Sequence, residues 1–243
     1  MFTKVAVACL LLAQSLLALE FSSGKIGDRL VTTAHVDPKT DSLRLFHKDD
    51  AGQPLKRLDR LAEWRRSKGE TLLFAMNAGM YHGDFSAVGL DVENTRQLAP
   101  LNLAEGAGNF FLKPNGVFLL TNKGAAVLES SEVAKLQEPV LLATQSGPLL
   151  LRRGQIHSVF KADSKNKLIR NGVGVTARGL VVFAISEAPV SFHEFATFFR
   201  DQMHCPDALF LDGTVSSLYA PALKRNDFRM DLGPMIGVVE SAK

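Results

Sequence analysis

Residues 208–217 read Ala208-Leu209-Phe210-Leu211-Asp212-Gly213-Thr214-Val215-Ser216-Ser217. A short apolar run that stops at an Asp-Gly pair predicts a buried strand entering a turn, and the hydroxyls of Thr214, Ser216 and Ser217 follow at once. An Asp at the end of such a strand is placed either for chemistry or to open an Asx turn, and these residues alone leave both open. The pattern recurs on both sides of this stretch. Apolar or alternating runs predict strands at Leu30–Val36, Leu43–His47, Thr71–Met76, Val88–Val92, Asn109–Leu112, Val117–Thr121, Ala125–Leu128, Pro148–Leu151, Val173–Thr176, Leu180–Ser186, Ala208–Leu211 and Ile236–Val239. Helices are few. Leu55, Leu58, Leu61, Ala62 and Arg65 make a stripe that Gly69 stops, and Ser191 with Glu194 forms a capping box before Phe195, Phe198, Phe199 and Met203, with Pro206 beyond. Many strands without regular strand-helix alternation predict an α+β fold, a single domain with a mixed or antiparallel β-sheet core and a few flanking helices. A Rossmann-type sheet is disfavoured.

The 243 residues are 46% hydrophobic and 22% charged, the composition of a globular protein able to bury a large core. Lys and Arg number 28 against 25 Asp and Glu, and no basic stretch exceeds a pair such as Arg152-Arg153, so nucleic acid is not an expected partner. Lys4 precedes an uncharged run from Val5 through Leu19 with small residues near Ala18, which predicts a signal peptide over residues 1–18 and a domain over 19–243. The run is short for a membrane span, so no stable span is expected after cleavage, and the location expected is the bacterial periplasm or the medium. Cys9 falls in that leader. Cys205 is then the only thiol, and no intramolecular disulfide is possible.

Common catalytic signatures are missing: no G-x-S-x-G, H-E-x-x-H, Walker loop or C-x-x-C occurs. Gly172-Val173-Gly174 opens like a dinucleotide loop, but Ala177 stands where the third glycine belongs. The histidines are not paired at helical spacing, so no metal site is expected, although a divalent cation is not excluded; His82, Asp84, His193 and Asp207 read as surface or capping residues. Polar turns at strand ends are where a rigid scaffold displays binding groups. Besides 208–217 there are four. Phe74-Ala75-Met76-Asn77-Ala78-Gly79-Met80-Tyr81 suits a positive-φ turn as well as a site. Pro114-Asn115-Gly116 reads as a hairpin turn joining Asn109–Leu112 to Val117 and Phe118. Thr144-Gln145-Ser146-Gly147-Pro148 is a polar bend before an apolar strand. Arg170 precedes the glycine-rich strand Gly172-Val173-Gly174-Val175, and by itself reads as a solvated surface charge.

Taken in order, Asn77-Ala78-Gly79-Met80-Tyr81, Val88-Gly89-Leu90-Asp91-Val92-Glu93-Asn94, Gly108 through Phe118, Thr144 through Leu150, Arg170 through Val175 and Leu209 through Tyr219 resemble the phosphodiester glycosidase family, in its bacterial secreted branch. The resemblance spans about Leu30 to Val239. It implies that Asn77 and Gly79 match the family's N-G-G-F-F turn, with Ala78 and Met80 departing from it. Ser146 and Gly147 match the middle glycine-rich turn, and Arg170 matches the arginine before the G-V-G-V strand. Asp212, Gly213, Ser216 and Ser217 match D-G-G-G-S-S, with Thr214 and Val215 replacing two glycines and expected to reshape the pocket. Glu187 is a looser match to an acidic residue.

The resemblance implies an exported hydrolase that cleaves the glycosidic bond of a sugar-1-phosphodiester, releasing the sugar and a phosphomonoester. Asp212 would be base or nucleophile and Glu187 a second carboxylate. Arg170 would hold phosphate oxygens, helped by amides near Gly147 and Gly213, and Asn77, Gly79, Ser146, Ser216 and Ser217 would line the substrate. No cofactor is predicted, and the partner expected is a carbohydrate or sugar phosphate. The alternative is a non-catalytic envelope module that binds glycans or phosphate-containing cell-wall polymers.

Overall fold

The structure, a computed structural model, describes residues 19–241. The signal peptide expected over residues 1–18, Cys9 included, lies outside them. Every strand pairing is antiparallel, in three sheets with few helices, so the fold is α+β. A seven-stranded sheet runs in the order Glu20–Ile26, Arg29–Val36, Val181–Ser186, Asn171–Val175, Asp207–Phe210, Leu149–Arg152, Gln155–Ile156. A five-stranded sheet runs Arg225–Asn226, Leu218–Ala220, Glu70–Asn77, Met235–Ser241, Ser42–Phe46, and a second one Arg96–Ala99, Asp91–Glu93, Val140–Ser146, Gly116–Thr121, Gly124–Glu129.

The inward faces of all three sheets share one core. Phe183 of the large sheet meets Phe74 at 5.2 Å and Phe118 at 5.8 Å, ring centre to ring centre, so one aromatic from each sheet joins a single cluster. Fully burying a Phe stabilises by about 1.5–3 kcal/mol, so this contact is one substantial tie between the sheets. The outer faces are covered by helices. Phe192–Asp201 lays Phe195, Phe198 and Phe199 on the large sheet and carries the expected capping box, Ser191 Oγ accepting from Glu194 N–H at 3.1 Å. Leu58–Ser67 covers Leu72 and Met235 with Leu58 and Leu61, and the chain leaves it through Gly69 at φ 72°, a conformation that costs glycine least.

Three expectations are corrected. Asn109–Phe111 is a 3-10 turn, not a strand, and Asn115 is no hairpin corner: its side chain is buried, with Nδ2 donating to the Phe110 carbonyl at 2.8 Å. The hairpin there joins Gly116–Thr121 to Gly124–Glu129. Ser146 does not sit in a bend; it is the last residue of strand Val140–Ser146.

Candidate functional site

Strand ends from all three sheets meet around the turn after Asp207–Phe210. Asn77 closes its strand, Ser146 closes another, and Asn171 opens a third. Asn77 Nδ2 donates to the Asp212 carbonyl at 2.9 Å, and Asn77 Oδ1 accepts from Asn171 Nδ2 at 2.9 Å and from Ser217 N–H at 3.1 Å. Ser146 Oγ donates to the Leu211 carbonyl at 2.6 Å, Ser216 Oγ to the Gly213 carbonyl at 2.9 Å, and Ser217 Oγ to the Val215 carbonyl at 2.8 Å. These five side chains are at most 2% exposed. Buried polar groups need partners, and here Asn77, Ser146, Ser216 and Ser217 each bond backbone of residues 211–217, while Asn171 bonds Asn77. Sequence reasoning gave Asn77, Ser146, Ser216 and Ser217 to the substrate; the geometry engages them in fixing the turn.

The glycines among the expected site residues serve close approach. A Cβ on Gly79 would lie 2.4 Å from the Gln145 carbonyl oxygen, on Gly147 2.7 Å from that of Phe110, and on Gly213 2.8 Å from that of Ile169. The two departures from the glycine-rich signature do not crowd this space. Val215 is buried against the cluster beneath helix Leu58–Ser67, and Thr214 is exposed.

Asp212 forms the Asx turn that its sequence context allows. Its Oδ1 accepts the Thr214 N–H at 3.1 Å, an Asx turn, while Oδ2 has no hydrogen bond and no basic side chain pairs with the carboxylate among the described residues. Burial raises its pKa above the ordinary 3.8, with the Thr214 N–H acting in the opposite sense. Tyr81 stands nearby: burial first, then the charges of Asp212 and Asp231, push its phenol up to about 12. The Tyr81 hydroxyl donates to the Asp231 carbonyl at 2.5 Å, and the ring stacks on Phe85 at 5.8 Å. Phe85 is held from behind, its carbonyl 2.6 Å from His47 Nε2, while His47 Nδ1 faces Asp91 Oδ2 at 3.3 Å. Burial, then the neighbouring Asp91, raise Glu93 to about 7 beside this pair.

Arg170 is not the surface charge its sequence context suggests. It is 1% exposed, with its guanidinium carbon 3.5 Å from the Phe192 ring centre; Nε donates to the Val190 carbonyl at 2.9 Å and Nη2 to the Asn166 carbonyl at 3.3 Å. No carboxylate pairs with it among the described residues, and burial lowers its pKa to about 10. Glu187 is exposed and tied to Arg225 Nη1 and to Thr32 Oγ1, with strand Asn171–Val175 lying between its own strand and that of Asp212. The strand order therefore puts two interstrand spacings, about 10 Å, between those strands, and the Glu187 carboxylate is engaged by Arg225 and Thr32.

Sequence reasoning missed Asn171, Tyr81, His47 and Arg225. Asn171 had a signal, an amide opening an otherwise apolar and glycine strand; the others depend on partners distant in the chain. Among the described residues no group of three or more His, Cys, Asp or Glu is arranged to hold a metal ion.

Comparison with known proteins now adds a family. The model of the phosphodiester glycosidase family matches residues 70–238. The uncharacterised protein YigE of Escherichia coli K12 is 33% identical over 184 residues, 76% of this chain and 72% of YigE. Among solved structures, the zebrafish N-acetylglucosamine-1-phosphodiester alpha-N-acetylglucosaminidase catalytic domain, auto-inhibited by its pro-peptide, superposes with a TM-score of 0.63 at 15% identity, over 90% of this chain and 81% of that one. A hypothetical protein from Synechocystis gives 0.57 at 16% identity, over 91% of this chain and 61% of its own. These structural likenesses establish the fold.

Proposed function

Because the chain belongs to the phosphodiester glycosidase family, we propose that it hydrolyses the bond between an anomeric carbon and the oxygen of a phosphodiester, releasing a sugar and a phosphomonoester. One observation carries this reading. In a turn whose other buried polar side chains are spent on holding backbone, Asp212 keeps one carboxylate oxygen without a protein partner. A carboxyl raised by burial is a better base than an exposed one, which suits it to take the proton of a water attacking the anomeric carbon, or to attack that carbon itself. The bond from that carbon to the phosphate oxygen breaks, and the phosphomonoester keeps the electron pair. Its second pKa is near about 6, so it leaves with little need of an acid.

Arg170 supplies positive charge at the same end of the large sheet. A buried cation without a carboxylate partner suits a substrate that brings its own anion. The pattern of residues 1–18 supports action outside the cytoplasm.

The experiment is hydrolysis of a panel of sugar-1-phosphodiesters beside simple aryl glycosides, with Asp212→Asn as control. Release from the phosphodiesters alone, lost in the variant, is the expected result. Saturable binding of sugar phosphates with no release from any substrate would replace this reading with a non-catalytic glycan-binding module.

A further inference from the structure

Between the N-terminal hairpin and the strand after Leu218–Ala220 lies a cavity of about 290 Å3 that the reaction above does not use. Its lining includes Phe21, Ser23, Thr32, Glu187, Leu223 and Arg225. It sits next to the site, because Glu187 directly follows strand Val181–Ser186, whose Ile185 pairs with Asn171. The chemistry of its wall is specific. Thr32 Oγ1 donates to Glu187 Oε1 at 2.6 Å, and Arg225 Nη1 bonds the same oxygen. Arg225 Nη2 pairs with Asp227 at 2.9 Å, and Asp227 Oδ2 also accepts the Leu218 N–H at 3.0 Å.

One cation thus faces two carboxylates, an excess of negative charge that disfavours a phosphate or carboxylate ligand. Glu187 Oε2 and Ser23 Oγ have no hydrogen bond among the described residues, leaving the lining an acceptor and a hydroxyl without protein partners. Phe21 and the 43% exposed Leu223 add apolar surface. Hydroxyl-directed groups around an apolar wall match a pyranose ring, which has a hydroxyl rim and a C–H face.

We propose that this cavity is a subsite for a neutral, hydroxyl-rich unit, a further glycosyl residue of the substrate. The proposal extends the glycosidase reading: the substrate would carry more than one sugar, with the phosphodiester near Asp212 and Arg170 and a neutral residue against Glu187. Glu187 acts here by binding.

Binding is measured calorimetrically in the Asp212→Asn background, which keeps the test independent of turnover, with maltotriose, cellotriose and chitotriose as neutral probes and glucose-1-phosphate as the anionic one. At least one trisaccharide should bind, and Glu187→Gln should weaken it about tenfold or more, the effect of losing a hydrogen bond to a charged group. Thr32→Val, which removes the hydroxyl that orients Glu187, should weaken it in the same direction. No trisaccharide binding up to about 10 mM, trisaccharide binding indifferent to both substitutions, or glucose-1-phosphate binding strengthened by Glu187→Gln would each overturn the proposal. Trisaccharide binding sensitive to Glu187, together with no hydrolysis of any phosphodiester by the wild-type protein, would leave the subsite standing and overturn the glycosidase reading instead.

Discussion

Two partly buried carboxylates at the same end of the large sheet have been given opposite surroundings. Glu194, in the first turn of helix Phe192–Asp201, would be raised by its burial, yet Arg29 at 2.7 Å, Lys167 at 2.8 Å and the Ser191 N–H at 2.7 Å bring it down to about 2. Asp212 receives a single N–H and no cation, and burial wins. The side-chain chemistry is the same; the count of donors separates a carboxylate held firmly charged from one whose pKa is raised. Arg170 is the complementary case, a cation denied its carboxylate.

That contrast can be broken at either end. Asp212→Asn should lower kcat on a phosphodiester about 1,000-fold or more without lowering thermal stability at neutral pH, since it removes a charge that burial disfavours, measured by initial rates and calorimetry; substantial activity in the variant would put Asp212 with Glu194 as a structural group. Arg170→Met keeps the volume stacked on Phe192 but removes the charge, and should weaken phosphodiester binding about 10- to 100-fold, read as KM with kcat less affected. Glu194→Gln should leave activity intact and lower Tm by about 3–6 °C near neutral pH, since the capping box and two ion pairs lose their charge. Its pH dependence has a defined sign. With a folded pKa of about 2 against an ordinary 4.5, the stabilisation is complete above about 4.5 and is lost as pH falls toward 2, so variant and wild type should converge in acid.

The smallest effect belongs to the buried His47, Asp91 and Glu93 group. Glu93 is raised to about 7 by burial and by Asp91, so the folded state holds its proton more tightly than the unfolded one. Stability from this group is present below about 4.5 and declines as pH rises through 7. Glu93→Gln should therefore raise Tm by about 2–4 °C at pH 8 and change it little at pH 4, by thermal melts across pH.

The sequence disclosed those parts of this design that are local. Leu180–Ser186 and Ala208–Leu211 are apolar enough to read as buried strands, and the capping box needs only Ser191 and Glu194. Strand Glu20–Ile26 passed unseen because its residues are mostly polar and its place is fixed by pairing with Arg29–Val36. Asp212 was legible as the polar end of an apolar run. The work of its neighbours was not: Asn77 meets Asp212 across 135 residues and Ser146 meets Leu211 across 65, so the same amides and hydroxyls that suggest ligand contacts in one dimension become supports in three. Arg170 misled for the same reason, since Phe192, which covers it, lies beyond the turn that follows its strand partner.

Strand Met235–Ser241 lies between Glu70–Asn77 and Ser42–Phe46, with Met235 opposite Asn77 and the Pro234 carbonyl accepting from Ala78. The ribosome delivers this segment after all the residues it must separate and align. Until it arrives, the sheet that orients Asn77 has a gap beside it, so the nascent chain lacks one of the supports of the Asp212 turn. A premature stop codon shortly before residue 235 would thus be as damaging as one far upstream, since it removes the strand that joins the two parts of this sheet.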